Sequence, residues 1–173
     1  MEIRFTRLPE DRCEISVTGR KGPDFRLPAV RVGHLLPHDL VHAAVERSLG
    51  LEDGFWGSIA RGAKLEAAEP VEPPQEEPPP EDLPQEGLDD RAATEQKRRA
   101  AAREALLRRG GNGVMDAEIK VNWAYRDWRG LPQPSPGPGP LDEDERARAR
   151  EAIGEAAELW AGIPEGGDLV WRW

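Results

Sequence analysis

The chain contains three histidines, and all of them lie between His34 and His42. His38, His42 and Glu46 are spaced four residues apart, so on a helix they form one row along a single side. Two imidazoles at this spacing can bind one metal ion, as in zinc sites that use an H-E-x-x-H motif. His34 continues the spacing towards the N-terminus, although Pro37 interrupts the helix between them. These residues are therefore candidate ligands for a divalent metal such as zinc.

The motif differs from that of zinc proteases in two respects. Asp39 replaces the glutamate that serves as general base there, and no glycine-spaced third histidine follows. We therefore do not expect a zinc protease. A second interpretation needs no metal: His38 and His42 lie at the margin of an apolar stripe, where Asp39 and Glu46 are close enough to pair with them. This interpretation is favoured, because metal motifs read from sequence have a high false-positive rate.

A helix over residues 37–49 must position these side chains. Pro37 suits the first helical position, and Gly50 suits the left-handed residue that follows a helix. Asp39 lies in the first turn, where the helix dipole favours a negative charge. The apolar side of the helix contains Leu40, Val41, Ala44, Val45, Ser48 and Leu49. A helix with such a side must pack against another element.

A pair of large aromatic residues follows this helix. Phe55 and Trp56 begin a second, short helix, which we expect to be capped by Asp53 and to end at Gly62. Aromatic side chains of this size are usually buried, so a place in the core is the favoured interpretation. The alternative is an exposed ligand or partner surface that includes Asp39, Phe55 and Trp56.

The motif Leu36-Pro37-His38-Asp39-Leu40-Val41-His42, followed by Gly54-Phe55-Trp56-Gly57, resembles a group of small uncharacterised bacterial proteins. Members of this group begin with a β-hairpin and carry this helix pair. The resemblance covers roughly the first 63 residues and the last few. It implies a hairpin and two helices in this order, and it implies no activity.

Acidic residues are concentrated in one segment. The chain has 33 Asp and Glu against 24 Lys and Arg, which gives a net charge of −9. Residues 65–90 contain ten acidic and no basic side chains, so the remainder has a net charge of +1 (−9 minus −10). The composition of 65–88, rich in proline and glutamate, predicts a disordered acidic linker. It would separate residues 1–64 from residues 89–173, which complete the same domain; recognition of its prolines by a partner is the weaker alternative.

Alternating apolar residues predict the strands. A β-hairpin is expected over 2–7 and 13–18, and a C-terminal strand over 168–173 is expected to join the same sheet. A third strand over 25–32 contains Pro28, which suits an edge or a bulge.

Helical spacing and capping residues predict three further helices, over 89–109, 115–129 and 142–160. The second of these ranges also alternates as a strand would, and a helix is favoured. We therefore expect an α+β fold, in which a small antiparallel sheet made of the hairpin and the C-terminal strand packs against about four to five helices.

Several functional classes are disfavoured by composition. The single cysteine, Cys13, cannot form an internal disulfide and suits a reducing cytosol. A leader peptide and an apolar run of membrane-spanning length are both lacking, so we expect a soluble cytoplasmic protein without a membrane partner. The negative net charge disfavours nucleic acid as the principal partner. Residues 91–109 nevertheless carry seven basic and two acidic side chains, and this +5 segment is a weaker candidate for RNA contact.

A catalytic constellation is also lacking: there is no nucleophile triad, P-loop, dinucleotide fingerprint or cysteine metal cluster. The favoured function is a non-catalytic interaction or regulatory protein with an unidentified protein partner. The alternatives are a metal-binding protein, in one variant a hydrolase, that uses His38, His42 and Glu46, and RNA contact through 91–109.

Overall fold

The structure, a computed structural model, describes residues 1–32, 35–65, 68–71, 94, 97, 98, 101, 105, 111–134 and 137–173. Five antiparallel strands form one sheet in the order β4-β3-β2-β1-β5. The strands are β1 (Glu2–Leu8), β2 (Arg12–Thr18), β3 (Phe25–Arg31), β4 (Glu69–Pro70) and β5 (Asp168–Arg172). The helices with described bounds are α1 (His38–Leu49), α2 (Phe55–Ala60), α3 (Gly111–Trp128) and α4 (Glu143–Ala161). The predicted α+β fold is confirmed.

The N-terminal hairpin forms as the alternation predicts. β1 pairs with β2 from Glu2 opposite Thr18 to Leu8 opposite Arg12. The turn between them places Glu10 and Asp11 at positive φ. One face of the sheet is buried against the helices and consists of Ile3, Phe5, Cys13, Ile15, Val17, Phe25, Leu27, Leu169 and Trp171. Period-two alternation of apolar and polar side chains gives the sheet one dry face and one wet face.

β3 contains the bulge that Pro28 predicts. Cys13 pairs with Val30 and Ile15 pairs with Leu27, so two residues of β3 lie opposite one residue of β2. A proline is tolerated there because the ladder is already interrupted and one amide donor is not needed.

The C-terminal strand β5 belongs to the same sheet as the N-terminal hairpin, as predicted. It pairs with β1, with Ile3 opposite Trp171 and Phe5 opposite Leu169. Trp171 lies in the core at 5% exposure, and the Arg47 guanidinium of α1 lies 4.1 Å from its ring centroid. An indole buried against a helix in this way contributes a large share of the apolar contact in a small core.

α1 is more deeply buried than a one-sided helix would be. Every residue from Leu40 to Glu46 is buried, and the helix contacts α2, α3 and α4. The predicted start at Pro37 is one residue too early: Pro37 has an extended ψ of 134° and is the N-cap, so the first helical residue is His38. Gly50 adopts the left-handed conformation at φ 67°, as expected for the residue that ends this helix.

α3 is a helix, which resolves the ambiguity over 114–128 in favour of the preferred interpretation. α4 begins with the capping box that its sequence predicts. The Asp142 carboxylate accepts from the Glu145 N–H, and the Glu145 carboxylate accepts from the Asp142 N–H. Lys120 of α3 donates to Glu145 at 2.9 Å, and this hydrogen bond holds the pKa of Glu145 below its ordinary value. The pair links α3 to α4.

The start of the predicted linker is part of the fold. Leu65 is buried, and Glu69–Pro70 forms β4 against Phe25 and Arg26. The Glu69 carboxylate lies within 3.3 Å of Arg26 and 3.2 Å of Arg98. The Arg98 pair joins the acidic segment to the basic one and the Arg26 pair joins it to β3, and exposed pairs of this kind contribute little stability individually. The part of the linker prediction that covers 72–88 lies outside the described residues.

The basic helix predicted over 89–109 is described at five positions. Thr94, Lys97, Arg98, Ala101 and Ala105 are helical, and the rest of that range lies outside the described residues. None of the helices that the structure describes is long and apolar enough to cross a bilayer.

Candidate metal site

His42 is the centre of a cluster of titratable side chains between α1 and α3. Its side chain is fully buried, and both ring nitrogens contact carboxylate oxygens. Nδ1 lies 2.8 Å from Oε1 of Glu46, one turn further along α1. Nε2 lies 3.2 Å from Oε2 of Glu118, which α3 contributes. The imidazole therefore links α1 to α3.

Glu46 is buried on the side of His42 that faces away from Glu118. Besides His42, its carboxylate accepts hydrogen bonds from the N–H of Phe55 at 3.1 Å and from the N–H of Trp56 at 3.0 Å. It therefore fixes the first turn of α2, whose N-cap, Gly54, has no side chain to do so. A Cβ at Gly54 would overlap the Glu46 carboxylate, so any larger residue there must displace that carboxylate from its hydrogen bonds. The predicted cap at Asp53 is one residue too early.

His38 and Glu118 complete the cluster. Nε2 of His38 lies 3.8 Å from Oε1 of Glu118, and the rings of His38 and His42 meet edge to face with centroids 4.9 Å apart. One ligand atom from each of His38, His42 and Glu118 lies within 4.8 Å of the others. Asn122 donates to Oε1 of Glu118 at 2.7 Å and holds that carboxylate in place. His38 is 37% exposed and Glu118 is 19% exposed at the side chain, so an ion can reach them from solvent.

The charges in this cluster require a cation. A neutral imidazole carries one proton, and a proton on Nδ1 would be donated to Glu46. The lone pair of Nε2 would then face the Glu118 carboxylate at 3.2 Å, which places one acceptor against another. Either a proton held between Nε2 and Glu118, on one group or the other, or a metal ion shared by them removes this conflict. A shared proton and a shared metal ion are therefore alternative ways to satisfy this contact.

The aromatic residues that were candidates for a ligand or partner surface belong to the core. Phe55 and Trp56 are buried at 3% and 0% exposure and lie in the core, the favoured interpretation, and not on a surface. The Trp56 indole N–H donates to the backbone carbonyl of Asp39 at 2.8 Å and joins α2 to the first turn of α1. His34 lies outside the described residues.

The sequence predicts Glu46, or a carboxylate from elsewhere in the chain, as the third ligand, and it does not single out Glu118. The structure turns Glu46 towards α2 and brings Glu118 to His38 and His42 instead. One signal for Glu118 is present in the sequence. It lies between Ala117 and Val121, which are both buried, so on a helix its carboxylate is at the margin of the packed side.

Comparisons of the chain with protein-family models, with curated proteins and with solved structures found no match. The resemblance to small bacterial proteins therefore stays a prediction from the motif of residues 36–57. The function must be argued from the site alone.

Proposed function

We propose that the protein binds one divalent metal ion, with zinc as the favoured ion, through His38, Nε2 of His42 and the carboxylate of Glu118. The observation that carries this proposal is the position of His42. Its Nδ1 is hydrogen-bonded to Glu46, while its Nε2 lies 3.2 Å from a carboxylate oxygen of Glu118. A metal ion satisfies both groups at once, because imidazole nitrogen and carboxylate oxygen are ordinary zinc ligands.

The distances suit such an ion. Zinc ligands lie about 2.0–2.2 Å from the metal, so two ligand atoms in tetrahedral geometry are separated by about 3.3 Å. The 3.2 Å between Nε2 of His42 and Oε2 of Glu118 agrees with this value. The 3.8 Å contact joins Nε2 of His38 to Oε1, the other oxygen of the Glu118 carboxylate, so one ion bound by all three side chains requires a small movement. His38 is the most exposed of the three side chains, so it is the one that would move.

Glu46 has the role that carboxylates often have beside metal-bound histidines. A hydrogen bond from Nδ1–H to a carboxylate fixes the tautomer, orients the ring and makes Nε2 more basic. Glu46 is itself fixed by two backbone N–H groups of α2, so the orientation of His42 is set by the fold. Three protein ligands leave one position of a tetrahedral ion for water or for a group from a partner.

A titration of tag-free protein with zinc tests the proposal. We expect one ion per chain, and at a free zinc concentration of about 100 Kd the bound ion should raise the stability by about 2.7 kcal/mol. For a chain of this length that corresponds to a rise in Tm of roughly 5–10 °C. Glu118→Gln and His38→Ala should each weaken zinc binding by about tenfold or more. Glu151→Gln, an exposed carboxylate on α4, is the matched control and should bind as the native chain does.

Two results would contradict the proposal. One is that adding zinc, cobalt or manganese produces neither a heat of binding in calorimetry nor a rise in Tm. The other is unchanged zinc affinity in Glu118→Gln, which would place the ion elsewhere on the chain. The interaction or regulatory role and the RNA contact through 91–109 stay predictions from the sequence.

A further inference from the structure

β5 is one edge of the sheet, and its pairing with β1 decides which backbone groups point outwards. The Trp173 N–H donates to the Met1 carbonyl at 2.9 Å, and the Arg7 N–H donates to the Gly167 carbonyl at 2.9 Å. In an antiparallel pair the bonded residues alternate with non-bonded ones. The odd-numbered residues from 167 to 173 therefore direct their N–H and C=O groups at β1, and the even-numbered residues direct theirs away from the sheet.

The outward row belongs to Asp168, Val170 and Arg172. Among the residues that the structure describes, the Arg172 carbonyl accepts from the Arg47 guanidinium at 3.2 Å, and no hydrogen bond reaches the backbone N–H or C=O of Val170. All three residues are exposed, and Val170 is 40% exposed. The outward N–H and C=O groups of an edge strand are a template for another strand.

The opposite edge of the sheet is not available in the same way. β4 covers the first two residues of β3, and the Pro28 bulge interrupts the rest of that strand. Short edge strands, prolines and bulges all prevent a further strand from adding. β5 pairs with β1 over five residues without a register shift and contains no proline.

The side chains of the outward row are complementary to themselves. They lie on the wet face of the sheet, with an acidic residue at position 168, valine at 170 and a basic residue at 172. If a second β5 strand pairs antiparallel with Val170 opposite the partner's Val170, then Asp168 lies opposite the partner's Arg172. Opposite charges that face each other across two strands are favourable. The Asp168 carboxylate accepts from Arg4 and Thr6 of its own chain, and its remaining lone pairs would face the partner's Arg172. A parallel arrangement in matched register would place like charges together, and a slip by two residues in either direction would leave neither charge opposite its counterpart.

We propose that two copies of this chain form a symmetric dimer by pairing their β5 edges in this register. The two five-stranded sheets then become one continuous sheet, with the two-fold axis between the Val170 residues. The Arg172 carbonyl has two lone pairs, so it can keep the Arg47 contact and also accept from the partner. This dimer does not depend on the metal site, because the β5 edge contains none of its residues.

Sedimentation equilibrium from about 10 μM to about 1 mM tests the dimer, since an interface of one strand pair is small and its affinity modest. We expect the average mass to rise from one chain to two. Arg172→Glu places an acidic residue opposite the partner's Asp168 and should weaken the dimer by about tenfold or more. Val170→Pro removes an N–H that the monomer does not use and should do the same. Val170→Thr keeps that N–H and is the matched control, with affinity expected within about threefold of the native chain.

Cysteine cross-linking tests the register. In Val170→Cys the two introduced residues face each other with Cα atoms about 5.5 Å apart, a separation that a disulfide can bridge. The native Cys13 is buried at 1% exposure and does not compete. Ser16→Cys, on the same face of the sheet in β2, is the control that should not cross-link. A monomer at every concentration would overturn the proposal, and so would a dimer that is indifferent to Arg172→Glu and Val170→Pro. A dimer that Val170→Cys cannot cross-link would overturn it as well.

Discussion

Replacing Glu46 by glutamine tests the link between the metal site and the fold. The native carboxylate accepts three hydrogen bonds, from Phe55 N, Trp56 N and Nδ1 of His42, and all of these groups are buried. Glutamine has nearly the same volume but one acceptor oxygen, and its amide group is a donor. At least one of the three donors must therefore face another donor.

The expected loss follows from these contacts. A buried donor left without an acceptor costs about 1–3 kcal/mol, and the remaining bonds lose the strengthening that a charged acceptor gives. Together these effects predict a destabilisation of about 3 kcal/mol, or roughly 6–12 °C in Tm for a chain of this length. A neutral amide oxygen is also a weaker acceptor than a carboxylate, so it orients His42 less firmly and makes Nε2 less basic, and zinc affinity should fall by about 10–100-fold.

Urea denaturation and zinc calorimetry of Glu46→Gln measure the two effects separately. Glu155→Gln, on the exposed side of α4, is the matched control and should stay within about 0.5 kcal/mol of the native chain. A loss of stability with unchanged zinc affinity would mean that Glu46 supports only α2. Stability within about 0.5 kcal/mol of the native value would refute the reasoning about its three hydrogen bonds.

Three further changes test the structure around the site. Gly54→Ala places a Cβ against the Glu46 carboxylate and should destabilise the chain by about 1–3 kcal/mol in urea; a neutral effect would contradict the close approach. Trp171→Ala removes a buried indole at the C-terminal strand and should cost about 3–5 kcal/mol, and an unchanged midpoint would reject its place in the core. Arg4 and then Thr6 hold the pKa of Asp168 below its ordinary value, so its contribution is present above the unfolded pKa and is lost as pH falls through the lower folded value. Asp168→Asn should therefore reduce the acid-induced loss of stability below about pH 4, and denaturation curves that fall equally steeply with and without Asp168 would contradict this.

The sequence predicted the parts of the fold that local chemistry determines. Pro37 and Gly50 bound α1 because each has a backbone preference that suits its end of a helix. The capping box at Asp142 marks the start of α4, and alternation marks both chain ends as strands. Each of these signals lies within a few residues of the feature that it predicts.

The site could be predicted only in part, because its geometry depends on long-range packing. His38 and His42 share a face through helical spacing, which the sequence gives directly. Glu118 lies 76 residues beyond His42 (118 minus 42) and reaches it only through the packing of α3 on α1. The contact of Glu46 with α2 could not be predicted from the sequence either, because a carboxylate that caps the next helix leaves no periodic signal in its own helix.

Nitrogen NMR of the histidine side chains, with and without one equivalent of zinc, tests the central claim most directly. We predict that zinc shifts the Nε2 resonance of His42 and a ring nitrogen of His38 to metal-bound values, while Nδ1 of His42 stays protonated towards Glu46. A His42 ring that carries protons on both nitrogens and does not respond to zinc would contradict this claim. It would assign the cluster to a buried imidazolium held between Glu46 and Glu118.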